Sequence, residues 1–242
     1  MIRNIFIPNE EVFSPHGISI KIPKDADVAI RYLLARGRPY EAPEAAMVCK
    51  YVMFGMSVIE LGGCFGIISA LIRKQIGPDA HHIIVEADPS LAKVCACNAN
   101  LENTNNLADV VIAAIDYSGA KKIKFSPGQN AHAGRVAANN ERGFTVPTTT
   151  LKEQVSKLPE HEYILVCDIE GAELELCENE KTALSKAYLL ILETHPKIYP
   201  RNALDYQKIQ KNIENAGLVE IEKCGAVVCF ASKTAMEDFN LI

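Results

Sequence analysis

SVIELGGCFGIIS, residues 57–69, holds a short apolar run, a glycine-rich turn and the start of an apolar helix. An apolar run this short, closed by turn residues, reads as a strand buried on both faces. The helix continues through IISALIRKQI, and Gly77-Pro78 turns the chain into a second buried strand, HHIIVEA (81–87). Pro89 suits the first turn of the next helix, SLAKVCACNANLEN. DVVIAAI (109–115) is a third strand. Strands and helices that alternate in this way form a parallel sheet covered on both sides.

Outward from this centre the pattern breaks and then resumes. KKIKF (121–125) reads as an edge strand, SPGQNAHAGRVAANNERG (126–143) as a long functional loop, and FTVPTTTL as extended chain leading to a short helix around 150–157. EYILVCDI (162–169) is again a buried strand, GAELELCENEKTALSK a helix, YLLILETH (188–195) a buried strand and ALDYQKIQKNIENAG a helix stopped at Gly217. LVEIEKC and GAVVCFAS close the chain as two strands around Gly225, expected to pair antiparallel. Before the centre, the first 24 residues read as a small β-ribbon. Asp25 is the expected N-cap of a helix through DVAIRYLLARG, and a second helix runs from about Glu41 to Gly55. The expected unit is therefore α/β and doubly wound, with a cap over residues 1–40 and the main domain over 41–242.

Composition narrows the class. The chain has 242 residues, 48% hydrophobic and 23% charged, with a net charge of -5. That balance, without a cluster of Lys and Arg, argues against a nucleic-acid partner, RNA included. No apolar run approaches the ~20 residues of a membrane span, and MIRNIFIPNEE meets charge and proline too early for a secretory signal. The eight cysteines form no CxxC and no zinc spacing. They read as reduced thiols of a cytoplasmic protein.

The turn Glu60-Leu61-Gly62-Gly63-Cys64-Phe65-Gly66 is not GxGxxG, which argues against a nicotinamide-dependent reductase. An acid ahead of a helix N-terminus is unsuited to pyrophosphate. It suits a ligand with ammonium and sulfonium charges, such as S-adenosylmethionine. Glu86, at the tip of the second strand, is placed to accept both ribose hydroxyls of an adenosine. Asp168 and Glu193/His195 end two further strands, and strand ends of such a sheet share one crevice. His195 is the residue type best suited to take a proton near neutral pH. Asp168 would orient the acceptor or the cofactor amine, and Glu193 would steady the histidine. Glu170, Glu173, Glu175, Glu178 and Glu180 read mostly as a solvated helix face, and His81-His82 as bystanders at the amino end of the sheet. No spacing demands a metal on Asp168, Glu193 and His195, and none is expected.

Tyr40-Glu41-Ala42-Pro43-Glu44, SVIELGGCFGIIS, IIVEADPSLAKVCACNAN, AAIDYSG, VPTTTL, VCDIEGAELE and LLILETHP together resemble the FkbM family of S-adenosylmethionine-dependent methyltransferases over roughly residues 38 to 200. D-x-E-G-A-E followed by E-x-H-P is the most specific part. The resemblance implies a Rossmann-like class I methyltransferase fold: a seven-stranded, mostly parallel sheet with a C-terminal antiparallel hairpin. It implies O-methylation of a sugar, glycan or polyketide-type hydroxyl by in-line methyl transfer. The implied cofactor set is Glu44, Glu60, Gly62, Gly63, Cys64, Gly66, Glu86, Ala87, Ala114 and Asp168, and the catalytic set is His195, Asp168 and Glu193. Glu44 would close over the methionine end. The family turn usually reads D-x-G-A-N-x-G, so Glu60, Gly63 and Cys64 are departures. His132 and Arg135 in the long loop would read a phosphate or acidic group on the acceptor, with a solvated loop as the alternative. A non-catalytic nucleotide- or sugar-binding module on the same scaffold is the alternative, and homo-oligomer formation is left open.

Overall fold

The apolar runs pair edge to edge in a computed structural model that describes residues 10–38, 40–102, 106–127, 135–136, 143–159 and 162–242. The strands are β1 (Glu10–Phe13), β2 (Ile20–Pro23), β3 (Val58–Leu61), β4 (His82–Glu86), β5 (Asp109–Ile112), β6 (Ala114–Ile115), β7 (Lys122–Ser126), β8 (Arg135–Val136), β9 (Phe144–Thr149), β10 (Tyr163–Cys167), β11 (Ala187–Glu193), β12 (Val219–Cys224) and β13 (Val227–Ala231). The helices are α1 (Val28–Ala35), α2 (Ala42–Tyr51), α3 (Ile67–Ile76), α4 (Pro89–Ala99), α5 (Leu151–Val155), α6 (Glu173–Asn179), α7 (Lys181–Leu184), α8 (Ala203–Asn215) and α9 (Lys233–Asp238).

Seven strands form the main sheet in the order β12-β13-β11-β10-β3-β4-β5. The five from β5 to β11 are parallel. β13 runs antiparallel to both β11 and β12, which is the reversed hairpin expected from the sequence. The chain winds outward from β3 to β5, then returns to the other side of β3 for β10 and β11. The carboxyl ends of β3 and β10 therefore flank the reversal, where sheets of this kind open a ligand crevice.

Neighbouring residues of each strand face opposite layers. Val58, Ile164, Val166 and Ile191 join the layer of α1, α2, α3 and α9. Ile59, Leu61, Leu165 and Leu190 join that of α5 to α8. Burial of each such side chain contributes roughly 1.5–3 kcal/mol. Two faces covered in this way explain strands with no polar alternation. A smaller sheet, β6-β9-β7-β8, is inserted between β5 and β10.

β1 and β2 form the antiparallel ribbon, and Ile20 and Ile22 of β2 are buried in the first layer. Asn98 of α4 ties the ribbon down. Its Oδ1 accepts from the Lys21 amide at 2.8 Å, and its Nδ2 donates to the carbonyls of Lys21 at 2.9 Å and Phe65 at 2.8 Å.

Local details differ from the sequence reading. Asp27, not Asp25, caps α1, because only its carboxylate reaches the Ala29 amide, at 2.7 Å. α2 stops at Tyr51, before Gly55. The run 109–115 bends at Ala113 and divides between two sheets. β7 is not an edge, since β8 and β9 pair on either side of it. The acidic helix is broken at Glu180, and the chain closes on α9 rather than on a strand. The first nine residues and most of the loop 126–143, with the side chains of His132 and Arg135, lie outside the described residues.

Gly62 has φ +94°, and a Cβ there would stand 1.8 Å from the backbone oxygen of Asp168. Gly62→Ala is expected to cost roughly 3 kcal/mol or more, since backbone must move and a left-handed residue is strained. Urea denaturation checks this, and a cost under about 1 kcal/mol would show that the two strand ends are not in contact.

Candidate active site

The glycine turn is shaped by close approach. The Gly62 amide donates to the carbonyl of Val85 at 2.9 Å, and Gly66, at φ +77°, opens α3 against the backbone of Cys95 on α4. At Gly63 a Cβ would meet Ile84 at 2.6 Å and the Cys95 sulfur at 2.8 Å, so a side chain there would require those two side chains to shift. Glu86, at the end of β4, meets this turn directly. One of its oxygens accepts from the Cys64 amide at 2.8 Å and the other from the Asp88 amide at 2.7 Å. Burial lifts its pKa to about 7 against the pull of those amides. Ala87 and Ala114 lie beside it in one small apolar cluster with Phe125 and Val146.

Glu60 is not aimed at the crevice. Its Oε1 accepts from the Ser69 hydroxyl on α3 at 2.8 Å, and its Oε2 lies 3.0 Å from His82 Nε2. His82 stands two residues back along β4 from Ile84, the register partner of Glu60. The longer side chain of glutamate thus folds back between sheet and helix. Burial raises Glu60 to about 8 and lowers His82 well below the usual histidine value, so both are neutral near pH 7. In place of an exposed carboxylate, Glu60 is a buried one engaged with Ser69 and His82 beneath the turn, within the field of Glu41 and Glu44. His82, read as a bystander, is its partner.

Other carboxylates converge above it. Glu41 and Glu44, at the start of α2, share a field with Asp168 and Glu193 at the ends of β10 and β11. Burial, then the neighbouring acids, raises Glu44 well above its ordinary value and Glu41 to about 8, although the Tyr40 hydroxyl opposes the rise at Glu41. Asp168 is raised by burial and Glu193, with His195 acting against them. Glu41, Cys64 and Glu170 all adopt positive φ, of 48°, 44° and 50°. Such strain in non-glycine residues gathers at functional sites.

His195 is wrapped by the D-x-E-G-A-E segment. Nδ1 pairs with Oε1 of Glu173 at 3.0 Å, and Nε2 lies 3.5 Å from both Asp168 Oδ1 and Glu170 Oε2. The His195 amide donates to the Tyr199 hydroxyl at 2.9 Å. Burial pulls the imidazole pKa down, but Glu173, Asp168 and Glu170 outweigh it and raise it to about 9. The two segments most specific in the sequence meet around one ring.

Glu44, Glu86, Asp168, Glu193 and His195 thus gather where β3, β4, β10 and β11 end, with Gly62, Gly63, Cys64 and Gly66 as the turn between. The partner steadying His195 is Glu173 rather than Glu193. Glu173 was counted into a solvated face, yet it is fully buried, as is Glu180 nearly so, while Glu175 and Glu178 are exposed. Tyr40, Glu41 and Glu170 also belong to the site. The signal for Glu170 and Glu173 was the glycine between them, which turns the chain back before α6 begins.

The sheet order, reversing at β3 with an antiparallel hairpin at one edge, is that of a Rossmann-like α/β fold. The model of the methyltransferase FkbM domain matches residues 60–220, more than half of the chain. The chain belongs to this family, is an enzyme rather than a passive binding module, and uses S-adenosyl-L-methionine. No curated protein matches it. It is similar to a TehB-like SAM-dependent methyltransferase from Corynebacterium glutamicum, with 14% identity, 85% of this chain and 95% of that chain covered, and a TM-score of 0.44. For Aeropyrum pernix fibrillarin, in complex with S-adenosyl-L-methionine, the values are 12%, 94%, 84% and 0.45. For a putative rRNA-methylase from Clostridium thermocellum they are 7%, 79%, 94% and 0.48. Among the described residues no helix is long and apolar enough to cross a membrane.

A carboxyl group with a folded pKa above its unfolded value binds more protons when native, so stability falls as pH rises through the interval. That interval runs from 4.5 to about 8 for Glu41 and Glu60 and to about 7 for Glu86. His82, shifted down, opposes this only below 6.5. The Tm of the cofactor-free protein is therefore expected to fall from pH 6.5 to 8. Glu60→Gln, which keeps an acceptor for Ser69, should flatten that fall, its free-energy slope lessened by up to ~1.4 kcal/mol per pH unit. A Tm that climbs across this window in the parent contradicts the buried, neutral acids.

Proposed function

We propose that the chain methylates a hydroxyl oxygen of a sugar, glycan or polyketide-type small molecule, as a cytoplasmic enzyme in which residues 1–40 cap the domain 41–242. The observation that carries this reading is His195, anchored on Nδ1 by buried Glu173 while Nε2 faces the crevice beside Asp168. Alcohols are weak nucleophiles, and a group that accepts their proton must lie within hydrogen-bond reach. All eight cysteines are free thiols, which suits a reducing compartment.

The crevice fits the cofactor in three respects. Its acids, desolvated and mutually repelling, favour a ligand with cationic groups. The glycine turn leaves room for close approach of a ligand to backbone. Glu86 offers two acceptor oxygens at the adenosine end. Glu86 would hold the ribose, Ala87 and Ala114 the base, and Glu44 and Asp168 the ammonium group. The cofactor supplies a methyl group on a positive sulfur. The protein's part is to align the acceptor, which contributes much of the rate, and to receive its proton at His195 Nε2 once the cationic cofactor, sharing the field of Asp168, has drawn the imidazole back from its raised value toward the neutral form. Glu193 shapes the field at the same end.

Calorimetry with S-adenosylhomocysteine should show binding to the parent and a loss of at least tenfold in Glu86→Ala. Turnover on a panel of hydroxylated acceptors should drop by roughly 10²–10⁴ in His195→Ala with S-adenosylhomocysteine affinity unchanged. Full turnover in that variant removes His195 from the proton-accepting role.

A further inference from the structure

His195 Nε2 stands equally far, 3.5 Å, from Asp168 Oδ1 and Glu170 Oε2. These acids favour positive charge between them, but the spacings exceed a charge-assisted hydrogen bond of about 2.7–2.9 Å. They match another geometry. Donors ~2.0–2.2 Å from a shared ion, on adjacent corners of a tetrahedron or octahedron, stand roughly 2.8–3.6 Å apart. All three donor atoms lie within 4.8 Å of one another.

Two further observations point to a ligand there. Asp168 Oδ1 is shielded from solvent and makes no hydrogen bond. Glu173, with no exposed surface, engages the far nitrogen of the imidazole at 3.0 Å and is itself held by the Gly171 amide at 3.1 Å. A carboxylate on the distal nitrogen is the usual second partner of a metal-bound histidine, and it directs the other lone pair at the ion.

We propose that Asp168, Glu170 and His195 bind one divalent cation, with Glu173 as the positioning residue. Two carboxylate oxygens and one imidazole nitrogen suit a first-row divalent ion rather than a thiophilic one, and paramagnetic Mn²⁺ is the probe for such a site. The sequence reading, which expected no metal, had weighed Glu193 as the third donor. Glu170 takes that place because its left-handed backbone carries its carboxylate to Nε2. The inference rests on the methyl-transfer reading for its meaning in the reaction. With the ion bound, Nε2 is a ligand, and the proton-accepting role given to His195 above applies to the metal-free form.

The test is titration of Mn²⁺ into the full chain after EDTA treatment and dialysis, followed by the loss of the free Mn²⁺ paramagnetic resonance signal. One saturable site per chain is expected. Glu170→Gln and Asp168→Asn, near-isosteric changes, should each weaken it at least tenfold. Glu173→Gln, which leaves all three donors, should weaken it by roughly 10-fold, while the distant surface change Glu222→Gln leaves it intact. Circular dichroism and melting confirm that each variant is folded. Absence of a saturable site in the parent, or parental affinity in folded Glu170→Gln, overturns the proposal. S-adenosylhomocysteine binding in EDTA tests the methyltransferase reading separately, so the two can fail independently.

Discussion

The contact between the Gly62 backbone and the carbonyl of Asp168 governs the site. It sets the end of β3 against the end of β10, across the point where the winding of the sheet reverses. Everything chemical follows from that closeness. The turn after β3 receives Glu86 from β4 on one side, and the loop after β10 carries Asp168, Glu170 and Glu173 to His195 on the other. A side chain at residue 62 would force these halves apart.

The second organising fact is the concentration of acids with little solvent. Burial raises the pKa values of Glu41, Glu44 and Asp168, and neighbouring carboxylates add to it, Glu193 at all three and Glu41 at the other two. A protein gains no stability from such crowding. It makes sense as preparation for positive charge, and the left-handed residues Glu41, Cys64 and Glu170 show backbone strain at the same place. The nearby Glu60–His82 pair behaves differently, as two neutral groups closed inside the sheet–helix layer.

Much of this was legible in the sequence. Continuous apolar runs separated by helices gave away the parallel sheet, because strands buried on both faces need no polar alternation. The strand-end acids Glu86 and Asp168 and the histidine at 195 were found by asking which residues such a sheet must project. Direction within the interior was not legible. Whether Glu60 points out or folds back depends on its length and on His82, a partner two residues off in register on another strand. Glu173 is hidden by its neighbours: five acids close together look like a wet surface, and only the turn at Gly171 brings Glu173 inward. The division of the run 109–115 was equally invisible, since both pieces are apolar and only the sheet they join tells them apart.

The amide of Asn98 holds three backbone groups at once, two in the ribbon and one at Phe65 inside the glycine turn. Ribbon and turn are thereby geared together. A ribbon displaced from the turn would have to break bonds at one end of this single side chain or the other.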